Sequence, residues 1–161
     1  AWIGDDDENP AADKVASALS ALAGGGTRIF LMHGNRDFLI GEDYARRCGA
    51  SILPDPTIID CYGHKVALMH GDSLCTRDSD IMDVTHEEVV RQLDKLQVNL
   101  LIHGHTHRPG IHTIRLPDPI NGRDEAHRIV LGAWDQKAWV LEFTPDGYEL
   151  KPLPHVTSSG K

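Results

Sequence analysis

The chain has 161 residues, of which 40% are hydrophobic and 25% charged, the size and make-up of one globular domain able to bury a core. Its net charge of -8 with histidine neutral excludes a generic nucleic-acid binder, because a phosphate backbone demands a surplus of lysine and arginine. No apolar run reaches the ~20 residues of a membrane span, no signal-peptide pattern opens the chain, and Cys48, Cys61 and Cys75 lie too far apart for a C-x-x-C site. The cysteines read as reduced thiols of a cytosolic protein.

In chain order, Ala11 to Ala23 is a predicted helix, with Val15, Leu19 and Leu22 at helical spacing and Gly24-Gly25-Gly26 stopping it. Thr27 to His33 is an apolar run of strand length. A brief helix over Gly41 to Cys48 closes at Gly49, and Lys65 to His70 is a second strand. Thr85 opens a helix in which Thr85 and Glu88 are expected to form a capping box, while Val89, Leu93 and Leu96 form the buried stripe. Val98 to His103 is a third apolar strand. After Pro109 the pattern changes to short strands at Ile111–Leu116, His127–Leu131, Lys137–Phe143 and Tyr148–Leu150, separated by Pro, Gly and Asp turns. Strands alternating with helices and then a run of strands predict a layered α/β fold with sheets packed between helices.

One local pattern occurs three times: Phe30-Leu-Met-His33-Gly34-Asn35, Ala67-Leu-Met-His70-Gly71-Asp72 and Leu101-Ile-His103-Gly104-His105. Each is a buried strand that stops at His-Gly and is followed by a residue able to bind a metal. Ligands of open α/β sheets gather at the carboxyl ends of strands, and glycine there lets the backbone turn sharply. The third copy runs on as Gly104-His105-Thr106-His107, which can aim two imidazoles at one centre. With Asn35 and His70 this is a mixed nitrogen and oxygen set, suited to Mn, Fe or Zn. A single buried histidine is more often a hydrogen-bonded core residue than a ligand. The repetition favours ligand roles for His70, His105 and His107. His33 and His103 precede their glycines and are expected to support the site from behind. His64, His86, His112, His127 and His155 fall outside the pattern and are expected on the surface. Cys75 lacks the basic surroundings of a nucleophile and reads as structural.

These motifs resemble those of the calcineurin-like metallophosphoesterases: Gly34-Asn35-Arg36-Asp37, His70 and Gly104-His105-Thr106-His107 match three of that family's signature elements. Longer stretches resemble its branch of UDP-2,3-diacylglucosamine pyrophosphatases of lipid A synthesis: Ala1-Trp-Ile-Gly-Asp-Asp-Asp7, His33 to Leu39, Met69 to Cys75, Ile102 to Pro109 and Val130-Leu-Gly-Ala-Trp134. The resemblance implies a metallophosphoesterase sandwich of two mixed β-sheets packed between helices, with a helical cap. It implies a hydrolase that uses two metals, most often Mn2+, to cleave UDP-2,3-diacylglucosamine into UMP and 2,3-diacylglucosamine 1-phosphate. Asn35, His70, His105 and His107 would hold metal. Asn35, Arg36 and His105 would be catalytic, the same three with Asp78 would bind substrate, and Asp37, His33 and His103 would stand behind them. A peripheral position on the inner face of the inner membrane follows from the lipid substrate, with no nucleic-acid partner and no oligomeric state implied.

Chemistry supports this branch at one residue. Relatives that cleave phosphate esters often carry histidine after Gly-Asn, where it can protonate an alkoxide. Arg36 cannot act as a proton donor at neutral pH, which suits a leaving phosphate that needs charge stabilisation and no proton. The domain is expected over residues 1–153, with a flexible tail at 154–161. The family's first strand and its Gly-Asp are expected ahead of Ala1, and its cap at the abrupt junction near residues 78–80. Two alternatives stay open: another dinuclear-metal phosphoesterase, such as a dinucleoside polyphosphatase or cyclic-nucleotide phosphodiesterase, or a catalytically silent scaffold on the same fold.

Overall fold

The computed structural model describes Asp5 and residues 10–35, 38–75, 84–134 and 137–153. The chain divides into two compact units, Ala1–Asp55 and Pro56–Lys161.

In the first unit, helix α1 (Pro10–Gly24) is followed by strand β1 (Ile29–Met32), helix α2 (Glu42–Cys48) and strand β2 (Ala50–Leu53). β1 and β2 pair in parallel, with Ile29 opposite Ala50 and Met32 opposite Leu53. The buried face of α1 is made by Ala12 and Ala16, with Leu19 packed beside them. Val15 and Leu22, at helical spacing in the sequence, are exposed. Alanines win the inner face because α1 packs closely on Tyr44 and Cys48 of α2, and the Tyr44 hydroxyl donates to the Ala12 carbonyl at 3.1 Å. Asp5 caps α2: its carboxylate accepts the N–H groups of Gly41 (2.7 Å) and Asp43 (3.1 Å), filling donors that a helix start leaves unpaired.

The second unit is built on a five-stranded mixed sheet in the order β3-β4-β5-β7-β6, formed by Thr57–Cys61, His64–Met69, Leu100–His103, Arg123–Val130 and Gly110–Ile120 respectively. Helix α3 (His86–Leu96) connects β4 to its parallel neighbour β5. Ala67, Met69, Leu101, Ile114 and Ala126 line the sheet face that packs with Val89 and Leu93 of α3. Val66, Leu100, Ile102 and Ile129 line the other face, against Leu141, Phe143, Tyr148 and Leu150 of the hairpin β8 (Ala138–Thr144) and β9 (Gly147–Leu153). All four residues of β5 are therefore buried, as expected of a strand covered on both faces. No helix among the described residues is long and apolar enough to cross a membrane.

Two expectations are corrected in this unit. Thr85 is the N-cap of α3 in extended conformation, but its side chain makes no capping bond. Glu88 turns away from the helix start, because its carboxylate accepts two bonds from Arg91 (2.6 and 2.8 Å) and one from the buried Gln92 amide (2.8 Å). The hydrogen bond from Arg91 is also the main reason its carboxyl lies below the usual range. His127 is half-buried, hydrogen-bonded to the Tyr148 hydroxyl. No disulfide joins the three cysteines. Residues 154–161 and 78–80 lie outside the described residues.

Two substitutions separate core from cap. Leu93→Ala removes a fully buried side chain and should destabilise by about 2–5 kcal/mol in urea unfolding. Thr85→Ala should fall well below the ~1 kcal/mol of a working cap; a loss that large would restore the capping box.

Candidate metal centre at the strand ends

The site is set by register. Met69 of β4 pairs with His103 of β5, and His103 with Val130 of β7. The three strands therefore end at one level. The Gly104 N–H donates to the His70 carbonyl at 3.0 Å, and the Leu131 N–H to the His103 carbonyl at 2.8 Å. These bonds tie the loops together where the strands stop.

His70 and His105 meet here. His105 Nδ1 lies 3.1 Å from His70 Nε2, and the rings stand edge to face at 79° with centroids 4.9 Å apart. Two imidazole nitrogens each ~2.1 Å from one cation and at right angles about it would be separated by ~3 Å. The observed spacing fits a pair of neighbouring ligands on one ion. Burial, and then the nearby His70, lower the pKa of His105, which favours the neutral ring whose lone pair a metal needs.

His107 is exposed, and its charge also acts to lower His105. Both histidines adopt left-handed backbone, with φ of 60° at His105 and 56° at His107. Such conformations are uncommon for residues other than glycine and cluster where function holds them. The loop is braced by the Thr106 N–H, which donates to the Gly104 carbonyl at 2.7 Å. Asp72 acts on His105 as well, raising its pKa. The sequence signal for it was the third member of His70-Gly71-Asp72.

The two histidines expected behind the site differ in detail. His33 Nε2–H donates to the Ile40 carbonyl at 2.6 Å, which braces the turn that carries Asn35 in the first unit. His103 is 1% exposed, and burial pulls its pKa down from 6.5 to about 4. It is neutral, and its Nδ1–H donates to the Gly104 carbonyl at 2.9 Å. Arg36, Asp37 and Asp78 lie outside the described residues. Among the described residues no three His, Cys, Asp or Glu side chains are grouped to hold one ion. A cavity of about 700 Å3 runs along α3 and β6, beside Val90, Arg91, Leu116 and Ile120, and contains none of the candidate residues.

Residues 3–138 match the model of the calcineurin-like phosphoesterase superfamily domain. The chain belongs to the calcineurin-like phosphoesterase superfamily. It is a hydrolase, as the superfamily match and the relatives' names agree. Calcineurin-like phosphoesterases use a dinuclear divalent metal site, and the facing His70 and His105 nitrogens suit that chemistry. A UDP-2,3-diacylglucosamine hydrolase of Marinobacter nauticus is 44% identical over 188 residues, covering 88% of this chain and 75% of the relative. One from Pseudomonas aeruginosa is 42% identical over 200 residues, covering 96% and 81%. Among solved structures, the zinc complex of wild-type Vps29 from Entamoeba histolytica is 14% identical with a TM-score of 0.44, covering 85% of this chain and 86% of that one.

Two measurements follow from this geometry. Because His103 titrates near 4 folded against 6.5 as its ordinary value, the unfolded chain binds its proton first as pH falls. Stability is thus full above pH 6.5 and declines towards pH 4, by on the order of 3 kcal/mol from this group, with His105 adding in the same direction. Urea unfolding in the presence of chelator should show that slope, and His103→Leu should flatten it. His107→Gly keeps the left-handed backbone allowed, so unfolding without metal should shift by no more than about 1 kcal/mol. Metal content after purification without chelator should drop sharply; unchanged content removes His107 from the ligand set.

Proposed function

We propose that this chain hydrolyses the pyrophosphate bond of UDP-2,3-diacylglucosamine, releasing UMP and 2,3-diacylglucosamine 1-phosphate for lipid A synthesis, with two Mn2+ as its metals. The observation that carries this is the facing pair His70 and His105, nitrogens 3.1 Å apart, in a chain 44% and 42% identical to relatives named for that substrate. Bound divalent ions would activate water at neutral pH and withdraw charge from the phosphoryl oxygens.

The chain's own residues do the rest. His70 and His105 bind through neutral ring nitrogens, and the motifs add His107 and Asn35 as ligands. Asn35, Arg36 and His105 face the phosphates, and Asp78 contacts substrate in the loop beyond His-Gly-Asp. The departing phosphate leaves as an anion, so Arg36 serves it as a fixed charge with a two-pronged donor geometry. Two acyl chains need an apolar grip, at ~0.8 kcal/mol for each buried methylene. The alignments span 188 and 200 positions while taking in 88% and 96% of 161 residues. The relatives therefore carry several dozen residues where this chain has none, which supports an added segment in them; the abrupt junction 78–80 is where the motifs would put a lipid-gripping cap. The lipid substrate would also place the reaction at the inner face of the inner membrane, with the protein attached peripherally.

The deciding assay adds Mn2+ to chelator-treated protein and offers UDP-2,3-diacylglucosamine beside dinucleoside polyphosphates and cyclic nucleotides. UMP should appear from the first, and turnover confined to the others would assign a different phosphoesterase. Arg36→Lys should keep part of the rate. Arg36→Ala should lose more, on the order of 2–4 kcal/mol of transition-state stabilisation, and an alanine variant as fast as the parent would show that Arg36 takes no part.

A further inference from the structure

His103 sits directly behind the two turns that carry His70 and His105. Two contacts fix it there. Its Nδ1–H donates to the Gly104 carbonyl at 2.9 Å. That carbonyl belongs to the same rigid peptide plane as the His105 N–H, so holding it sets the direction from which His105 enters its left-handed conformation. The same oxygen accepts the Thr106 N–H at 2.7 Å. On the other side the ring lies against Gly71, whose φ is 111°; a Cβ there would stand 2.7 Å from His103 Nδ1 and 3.2 Å from its Cβ and Cγ. The ring therefore occupies the room a side chain at 71 would need, directly beside the His70-Gly71 turn. Meanwhile His103 Nε2 is buried with no hydrogen-bond partner among the described residues. An unpaired buried acceptor destabilises a fold, so stability alone does not explain a histidine at this position.

We propose that His103 is a positioning residue: through Gly104 and Gly71 it fixes the angle at which the His70 and His105 imidazoles meet, and so the metal affinity of the pair. The inference rests on the metal-binding reading above. Outer groups that orient metal ligands typically change affinity 10–100-fold when removed. Here the orienting bond runs through the backbone, from the Nδ1–H to the peptide that leads to His105.

Calorimetric titration of the whole, chelator-treated chain with Mn2+ alone tests it, together with melting temperatures in the absence of metal. His103→Asn keeps an N–H donor close to the place of Nδ1, and should bind Mn2+ within about threefold of the parent. His103→Leu fills the apolar space, removes the donor and also removes the unpaired acceptor. It should bind Mn2+ 10–100-fold more weakly with a metal-free melting temperature at or above the parent's. A leucine variant that binds as tightly as the parent overturns the proposal. So does equal weakening in the asparagine and leucine variants accompanied by lower melting temperatures, the mark of a merely structural residue. A folded parent that binds no Mn2+, Fe2+ or Zn2+ sinks the metal reading itself, and this inference with it.

Discussion

Met69, His103 and Val130 stand in one row across three parallel strands, and the meeting of His70 with His105 depends on that row. The residue after each of these is where a loop begins, so His70, Gly104 and Leu131 leave the sheet at the same height. Side chains alternate along a strand, so a slip of one residue in β5 would carry His103 to the hairpin face and swing His105 away from His70. The register is held by hydrophobic burial. Leu101 must face α3, while Leu100 and Ile102 must face β8 and β9. The meeting of His70 with His105 is thus fixed by residues with no chemistry of their own.

Electrostatics then suits this geometry to a cation. Two imidazoles with nitrogens in contact cannot both be protonated without repulsion, and burial further disfavours charge on His105 and His103. His105 and His103 are thereby favoured in the neutral form, which carries a free lone pair. A divalent ion can use such a lone pair where another proton is disfavoured, which is how the lowered basicity of His105 suits the proposed metal site.

Much of this could be read in the sequence, for identifiable reasons. The three strands ending in His-Gly announced themselves because an apolar run broken by polar residues stands out, although only β5 is buried throughout and β1, with Phe30 half exposed, is not the buried strand expected. Gly104-His105-Thr106-His107 placed two candidate imidazoles on one loop by local spacing alone, and of these the structure brings His105 against His70. What failed depended on partners far away in the chain. The spacing of Val15, Leu19 and Leu22 did not show that Ala12 and Ala16 form the inner face of α1, because Tyr44 and Cys48 demand close approach. The capping box failed because Arg91 and Gln92 outbid the helix start for Glu88. His127 is half-buried against Tyr148, 21 residues away. Strands β2 and β3 passed unread, although Thr57-Ile58-Ile59 is β-branched and Tyr62-Gly63, both at positive φ, are the kind of pair that turns a hairpin. Asp5 as a cap for α2 had no local signal, since its partners Gly41 and Asp43 are remote in sequence.

The left-handed backbone at His105 and His107 bears on how such a loop can change over generations. That conformation is tolerated by glycine and, among residues with side chains, best by asparagine, aspartate and histidine. Three of those four are also metal ligands. Random substitution at either position is therefore filtered by backbone sterics before function is tried, and the survivors are mostly residues that can still coordinate. On the proposed metal reading, a lineage drifting at this loop would exchange nitrogen for oxygen donors, and with them its preferred ion, more readily than it would lose metal binding altogether.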